Sequence, residues 1–208
     1  MKLSDYVAQF ISNLGTQHVF AISGGASVHL IDSINKHPSL EYICPNHEQA
    51  GAIAADAYSR AGNSIGVAVS TSGPGATNMI TGICSAWFDS VPVLYITGQV
   101  STFRLKRDLG VRQLGFQEND TLSMVKPVTK YSVLIEEPQK IRYELEKAVY
   151  LAYEGRPGPV LIDIPDNISR AEIDEQELES FTAPQEVETE ENLLECLRFL
   201  KDVRYTNP

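Results

Sequence analysis

Residues 65–78 read IGVAVSTSGPGATN, and this stretch decides the fold class. Its first six residues form a continuous run of apolar and small side chains, which is typical of a strand buried on both faces of a sheet. The glycines and the proline that follow are typical of a turn. The stretch therefore predicts a strand, a turn and a helix in succession, which is the repeating unit of a parallel α/β sheet.

The same unit occurs just upstream, at residues 41–58. An apolar strand at residues 41–44 gives way to Glu48 and then to a helix of small residues that reaches Tyr58. Because that helix has almost no bulky or charged side chains, we expect it to pack closely and to leave Glu48 poorly solvated. A poorly solvated carboxylate can share or deliver a proton near neutral pH, as a general acid or base does. The alternative is an ordinary glutamate in the first turn of a helix, where the helix dipole favours acids.

Apolar strands and helical patterns alternate along the rest of the chain. Besides the two strands above, we predict strands at residues 18–22, around Leu94, at residues 131–134 and at residues 160–164. This alternation predicts a three-layer α/β sandwich, with a mostly parallel central sheet flanked by helices. The strand-to-helix junctions then share the edge of the sheet at which α/β proteins bind ligands. The turn at residues 71–78 lacks the signatures of a Walker loop and of a dinucleotide-binding loop.

Composition sets limits on the partners. The 208 residues are 43% hydrophobic and carry a formal net charge of −10, which argues against nucleic acid as a partner. No apolar segment resembles a signal peptide or is long enough to span a bilayer, so we expect a cytoplasmic protein without a membrane partner. The cysteines and histidines lack the spacing of a metal site, and no residue of this chain is assigned to a metal.

The acidic residues crowd into the C-terminal part. We interpret residues 171–190 as an acidic linker that follows a domain at residues 1–170. Residues 191–208 begin with an amphipathic leucine stripe, formed by Leu193, Leu194, Leu197 and Leu200. By itself this stripe indicates a helix with one apolar face that needs a surface to pack against.

Several motifs occur in order along the first 170 residues. They are HEQ at 47–49, TSGPGATN at 71–78, DSVP at 89–92, TGQV at 97–100, GFQE at 115–118 and GRPGPV at 155–160. In their order and approximate spacing they resemble the thiamine-diphosphate enzymes related to the acetolactate synthase large subunit. The resemblance covers roughly residues 1–170 and corresponds to the N-terminal pyrimidine-binding domain of those enzymes. Because the middle domain of the family begins with an amphipathic helix, the resemblance implies that residues 191–208 are the start of a truncated middle domain and that the chain is part of a longer enzyme.

This resemblance implies roles for individual residues. At the position of Glu48 the family has a glutamate that hydrogen-bonds N1′ of the cofactor's aminopyrimidine and promotes the tautomer that removes the proton from thiazolium C2. Near the cofactor the family also has an early glycine pair, although Ser23 of this chain stands where a proline is usual. The positions implied to contact the cofactor are Glu48, Gly24, Gly25, Pro74 and Asn78.

Phe116 and Gln117 are implied to contact the substrate. In the family the matching residues lie beside the reacting thiazolium and help shape the pocket for the acceptor. Taken by themselves, the two residues also permit another interpretation, namely a core aromatic and the N-terminal polar residue of a short helix.

The resemblance also implies what this chain lacks. Family members hold Mg²⁺ and the diphosphate through a second domain with a Gly-Asp-Gly motif, and that motif is absent from this sequence. Thiamine diphosphate and Mg²⁺ are therefore expected to be held with the diphosphate-binding domain of a second subunit in a homodimer, and this chain alone is expected to be inactive. The implied reaction is decarboxylation and carboligation of a 2-oxo acid such as pyruvate, as in branched-chain amino acid biosynthesis. The alternative is a non-catalytic or separately encoded subunit that pairs with a diphosphate-binding partner chain.

A basic loop separates two of the motifs. Residues 101–114 contain Arg104, Lys106, Arg107 and Arg112 in an otherwise acidic protein. This loop is either exposed and merely solvated, or it contacts an anionic group. Three anionic groups suit it, namely a substrate carboxylate, a phosphate of FAD and a partner subunit. The family has a shorter link at this place, so the resemblance does not choose among them.

The helices that begin near Glu48 and Gly75 are rich in small residues and almost uncharged. A helix that is apolar all round must be covered, and a sheet covers only one side of it. We therefore expect self-association through these two helices, in a two-fold interface as in the family, and we predict that Ala86→Arg splits the dimer without unfolding the monomer. The alternative is that flanking helices of the same domain provide the cover.

Overall fold

The computed structural model describes residues 1–62 and 64–184 together with positions 194, 197 and 198. Within these residues six strands form a sheet in the order β2-β1-β3-β4-β6-β5, and every neighbouring pair is parallel. The strands are β1 (His18–Ala21), β2 (Glu41–Ile43), β3 (Gly66–Ser70), β4 (Val93–Gln99), β5 (Tyr131–Leu134) and β6 (Val160–Pro165). The predicted parallel sheet is confirmed.

Helices cover both faces of this sheet. They are α1 (Leu3–Asn13), α2 (Val28–Lys36), α3 (Glu48–Ala61), α4 (Pro74–Phe88), α5 (Thr121–Val125), α6 (Ile141–Tyr153) and the short α7 (Asp166–Ser169). Side chains of α1, α2 and α6 share one buried cluster with Leu94 and Ile96 of β4. Side chains of α3, α4 and α5 share the other cluster with Tyr95, which points to the opposite face. The fold is therefore the expected three-layer sandwich.

Small residues bring α3 and α4 into close contact. A Cβ added to Gly82 would stand 2.4 Å from the Cβ of Ala52. Beneath this contact the buried Tyr95 hydroxyl lies 3.3 Å from the carbonyl oxygens of both Ala52 and Gly82. The side of the two helices that faces away from the sheet stays exposed, and it includes Ile53 and Thr81. The small side chains thus serve the packing of the two helices against each other.

The packed body continues past residue 170. Ile173 and Leu178 are buried in the core cluster, and the amide of Ile173 donates to the carbonyl of Met1 at 2.9 Å. The ring of Phe181 packs edge-on against Tyr143. The interpretation of residues 171–190 as a solvated linker therefore does not hold for residues 171–181, because apolar side chains interspersed among the acids anchor this segment to the domain.

The remaining C-terminal residues are described only in part. Leu194 and Leu197 lie in helical conformation and are exposed. Leu193 and Leu200 of the predicted stripe lie outside the described residues. Across the part of the chain that the structure describes, no helix combines the length and apolarity that crossing a membrane requires.

Candidate functional site

Three chain segments meet at the carboxyl edge of the sheet. The strands β2, β1 and β3 are neighbours, and their C-terminal ends lead into the segments that carry Glu48, Gly24 and Gly73 respectively. Because parallel strands end at the same edge, residues far apart in sequence come together there. The structure thus brings the predicted cofactor-contacting segments to one place.

Glu48 is the first residue of α3 and has a specific partner. The side-chain amide of Asn78, on α4, donates to Oε2 of Glu48 at 2.9 Å. The preceding residue, His47, is the N-cap, and its Nδ1 accepts from the amide of Gln49 at 3.1 Å. Two residues that the sequence implied only separately are therefore joined by a hydrogen bond.

Glu48 is not buried by its own domain. It is partly exposed, which differs from the poorly solvated glutamate that the sequence led us to expect. The small side chains of α3 pack against α4 further along the helix, whereas Glu48 is the first residue of α3, where the contact with Asn78 leaves it partly exposed. Full desolvation of this carboxylate would require cover from beyond the residues that the structure describes.

The glycines beside Glu48 make room for close contacts. A Cβ on Gly75 would come within 2.8 Å of Cγ2 of Thr71 and within 3.5 Å of Oε1 of Glu48. A Cβ on Gly24 would stand 2.4 Å from the Cβ of Thr71, whose hydroxyl accepts from the amide of Ala26 at 3.2 Å. The missing side chains therefore let the glycine turn of β1 lie against Thr71 and leave Oε1 of Glu48 approachable.

The other two predicted cofactor contacts behave differently. Gly25 has no atom within 4 Å of the place where a Cβ would stand, so packing does not require a glycine there. Pro74 is exposed and is the first residue of α4, where a proline is preorganised for the helix. Both lie at the carboxyl edge, beside residues that do make specific contacts.

Phe116 and Gln117 stand next to this edge. The ring of Phe116 is 82% exposed, and Gln117 has a positive φ of 60°. A Cβ on Gly73 would lie only 2.6 Å from the carbonyl oxygen of Gln117, so the two backbones touch. The interpretation of this pair as a core aromatic and a helix-starting residue is wrong, because the ring is in solvent and α5 begins only at Thr121.

The basic loop is mostly exposed, which both of its interpretations allow. Arg107 donates to the carboxylate of Glu136 at 2.6 Å, and the guanidinium of Arg104 lies 5.7 Å from the ring centre of Phe103. Arg112 is exposed. This arrangement leaves positive charge at the surface.

Sequence analysis missed a buried polar network behind the site. Asp163 on β6 accepts from the Thr97 hydroxyl at 2.7 Å and from the Gln99 side-chain amide at 2.9 Å. Gln99 also donates to the carbonyl of Asn119, and the Asn119 side chain accepts from the amide of Gly73 at 3.1 Å. Burial raises the pKa of Asp163 to about 7. The available signal was a charged residue within the apolar run VLIDIP at 160–165.

The residues present fit half of a cofactor site. Glu48 offers one carboxylate oxygen, Oε1, beside the space that Gly75 leaves open, while Asn78 holds the other oxygen. Among residues 1–62 and 64–184, no group of three or more His, Cys, Asp and Glu side chains is placed to hold a metal ion. The edge therefore suits a ring nitrogen that hydrogen-bonds a carboxylate.

Comparison with protein family models matches residues 1–124 to the family described as thiamine pyrophosphate enzyme, N-terminal TPP binding domain. The acetolactate synthase large subunit of Lactococcus lactis is 40% identical over 198 residues, which cover 93% of this chain and 33% of that protein. The acetolactate synthase of Arthrospira platensis is 43% identical over 163 residues, 77% of this chain and 27% of that protein. The chloroplastic acetolactate synthase of Arabidopsis thaliana is 37% identical over 169 residues, 81% of this chain and 24% of that protein. This chain thus spans a third or less of the length of these relatives.

Proposed function

Because this chain belongs to the family of thiamine pyrophosphate enzymes, through their N-terminal TPP binding domain, we propose that it forms the pyrimidine-binding part of a carboligase. The proposed reaction is decarboxylation and carboligation of a 2-oxo acid such as pyruvate, in branched-chain amino acid biosynthesis. The relatives named acetolactate synthase support this proposal. The observation that carries it is the carboxylate of Glu48, held by Asn78 at the open carboxyl edge of the sheet.

The residues of this chain have distinct tasks in the proposal. Oε1 of Glu48 hydrogen-bonds a nitrogen of the pyrimidine ring and exchanges a proton there. Asn78 orients the carboxylate through Oε2 and leaves Oε1 to the cofactor. Gly24, Gly25 and Pro74 form the adjoining wall, while Phe116 and Gln117 contact the substrate. Thiamine diphosphate, when bound, would supply a nucleophilic carbon for the reaction with the 2-oxo acid.

The proposal also includes partners. In this proposal Mg²⁺ and the diphosphate are held by a diphosphate-binding domain of a second subunit, as the resemblance to the family implies, and that domain supplies the several oxygen ligands that Mg²⁺ needs. The chain alone is then inactive. We place the assembly in the cytoplasm, while the Arabidopsis relative is named chloroplastic. The basic loop is a candidate contact for the phosphates of FAD, for a substrate carboxylate or for a partner subunit.

Glu48→Gln is expected to abolish cofactor activation in the assembled enzyme. An amide cannot accept the proton that the carboxylate accepts, and removal of a general acid or base typically costs at least about a hundred-fold in rate. The measurement is hydrogen–deuterium exchange at C2 of bound thiamine diphosphate. Glu41→Gln, at an exposed glutamate of β2, is the matched control and should exchange at the wild-type rate. Wild-type exchange in Glu48→Gln protein would end the proposal.

We further propose that the chain forms a homodimer through the exposed side of α3 and α4. Ala86 is unsuitable for testing this, contrary to our prediction from sequence, because it is fully buried in the core beneath α4. An arginine there would unfold the monomer. Thr81, which is exposed on α4, is the better position.

Thr81→Arg is expected to convert a dimer into a folded monomer, because it places a charge in the proposed interface without entering the core. Light scattering at micromolar concentration measures the mass, and circular dichroism verifies folding. Ser39→Arg, at an exposed position between α2 and β2, should leave the dimer intact. A wild-type chain that stays monomeric would instead mean that other domains cover this surface.

A further inference from the structure

The side chain of Glu118 links the two ends of the loop formed by residues 106–115. Its side chain is nearly buried, and its two carboxylate oxygens accept from three backbone amides. Oε1 accepts from the amide of Lys106, while Oε2 accepts from the amides of Leu114 at 2.8 Å and Gly115 at 3.2 Å. One carboxylate therefore joins the two ends of residues 106–115. Hydrogen bonds to an ionised carboxylate are stronger than those between neutral groups.

Side-chain packing does little to hold the same loop. Leu109, Val111 and Leu114 are all exposed, so the loop has no apolar anchor in the domain at these positions. The pair between Arg107 and Glu136 lies at the surface, where ion pairs contribute little. Two further hydrogen bonds are local: the amide of Leu109 donates to the carbonyl of Lys106 at 2.9 Å, and the Gln113 side chain donates to the backbone carbonyl of Glu118 at 2.7 Å. Neither of them joins Lys106 to Leu114 and Gly115, as the Glu118 carboxylate does.

The position of Phe116 and Gln117 depends on the loop that precedes them. Phe116 is too exposed for packing of its ring to fix it, and Gln117 has a backbone conformation that is unfavourable for a side-chain-bearing residue. On the other side, the side chain of Asn119 accepts from the amide of Gly73 and donates to its carbonyl oxygen. Phe116 and Gln117 thus lie between two fixed points of the chain: Gly115, whose amide donates to the Glu118 carboxylate, and Asn119, whose side chain bonds Gly73.

We propose that Glu118 is a positioning residue that sets where Phe116 and Gln117 stand beside Glu48, and so determines how the 2-oxo acid is bound. The link to Glu48 runs through the turn at residues 73–75, since Gly73 touches Gln117 and Gly75 adjoins Glu48. This inference rests on the proposed function for the identity of the substrate. The closure of the loop by Glu118 does not, and it is tested separately.

Trypsin tests the loop closure on the 208-residue chain. Glu118→Gln keeps the size of the side chain but replaces one acceptor oxygen by an NH₂ group, which cannot accept from a backbone amide. We expect cleavage after Arg107 and Arg112 to become at least about ten-fold faster, as expected for the loss of charge-assisted hydrogen bonds. Cleavage after Lys147, within α6, should stay at the wild-type rate because the domain remains folded.

Glu136→Gln is the matched control, since it removes only the surface pair with Arg107 and should leave the loop protected. Unchanged loop cleavage in Glu118→Gln would overturn the proposal. Faster cleavage at Lys147 to the same degree would also overturn it, because Glu118 would then support the whole domain. An equal effect of Glu136→Gln would assign the closure to the surface pair.

Kinetics of the assembled enzyme test the positioning role. In Glu118→Gln protein we expect KM for pyruvate to rise about ten-fold, while exchange at C2 of thiamine diphosphate continues at the wild-type rate. Glu118→Asp, which keeps both oxygens, should restore part of the affinity. An unchanged KM with a loosened loop would overturn the positioning role. If Glu48→Gln protein exchanged the proton at C2 as fast as the wild type, the proposed function would be refuted. The trypsin result on the loop would still stand.

Discussion

Gly66→Ala is expected to destabilise the domain by about 3 kcal/mol or more, at the upper end of the cost of overpacking. A Cβ at this position would lie 1.9 Å from the carbonyl oxygen and 2.7 Å from the carbonyl carbon of Ala55. Both are backbone atoms of α3, which cannot move away because Ala52 of the same helix is pressed against Gly82 of α4. The added methyl group must therefore push α3 off the sheet.

Chemical denaturation measures this effect as a change in the free energy of unfolding. Gly25→Ala is the control, because nothing lies within 4 Å of its added Cβ, and its stability should stay within about 1 kcal/mol of the wild type. The free energy of unfolding of a domain is only about 5–15 kcal/mol, so the loss expected for Gly66→Ala is a large fraction of it. Equal stabilities of the two variants would show that α3 shifts freely on the sheet.

Asp163→Asn is expected to stabilise the protein above neutral pH and to remove part of its pH dependence. The carboxyl of Asp163 is buried, and this burial raises its pKa from the ordinary 3.8 to about 7, against the opposing effect of hydrogen bonds from Thr97 and Gln99. Between these two values the folded chain keeps a proton that the unfolded chain releases. Stability contributed by the protonated form is therefore fully present below pH 3.8, declines as pH rises towards 7 and is lost above it.

An asparagine imitates the protonated carboxyl. Its Oδ1 can accept from Gln99 and its Nδ2 can donate to the Thr97 hydroxyl. Because one pKa unit corresponds to about 1.4 kcal/mol, a shift of about three units sets an upper limit near 4 kcal/mol on the gain at pH 8. The measurement is urea denaturation of both proteins from pH 4 to pH 8, with the exposed Asp108→Asn as control. A difference between Asp163→Asn and the wild type that does not vary with pH would contradict this account.

Local sequence patterns were sufficient to predict the layers of the fold. The side chains of an apolar run such as residues 65–70 are buried only when layers cover both faces of the sheet. The small-residue helices could be recognised from sequence without any tertiary information. The positions of Glu48 and Gly73 followed from the same logic, since each stands where a helix begins after a strand. The error at Ala86 arose because a helix without charges has no marked polar side, so the sequence does not show which alanines face the sheet.

Contacts between distant residues could not be predicted in this way. Asn78 binds Glu48 across 30 positions, and Gln99 binds Asp163 across 64. Glu118 resembles any other loop glutamate until the chain folds back and brings three amides to its carboxylate. The solvation of Glu48 likewise depends on what lies above the helix end, which is a property of the folded surface.

The sequence by itself determined the succession of strands and helices along the chain, the parallel sheet and the edge of the sheet at which the candidate site lies. These features follow from the periodicity of apolar residues and from the residues that follow each strand. Only the tertiary structure decided which side chains meet at that edge. It paired Glu48 with Asn78, buried Asp163 and Ala86, and placed Phe116 in solvent. Hydrogen bonds and burial depend on distances in space between residues far apart in the chain, and no local pattern encodes those distances.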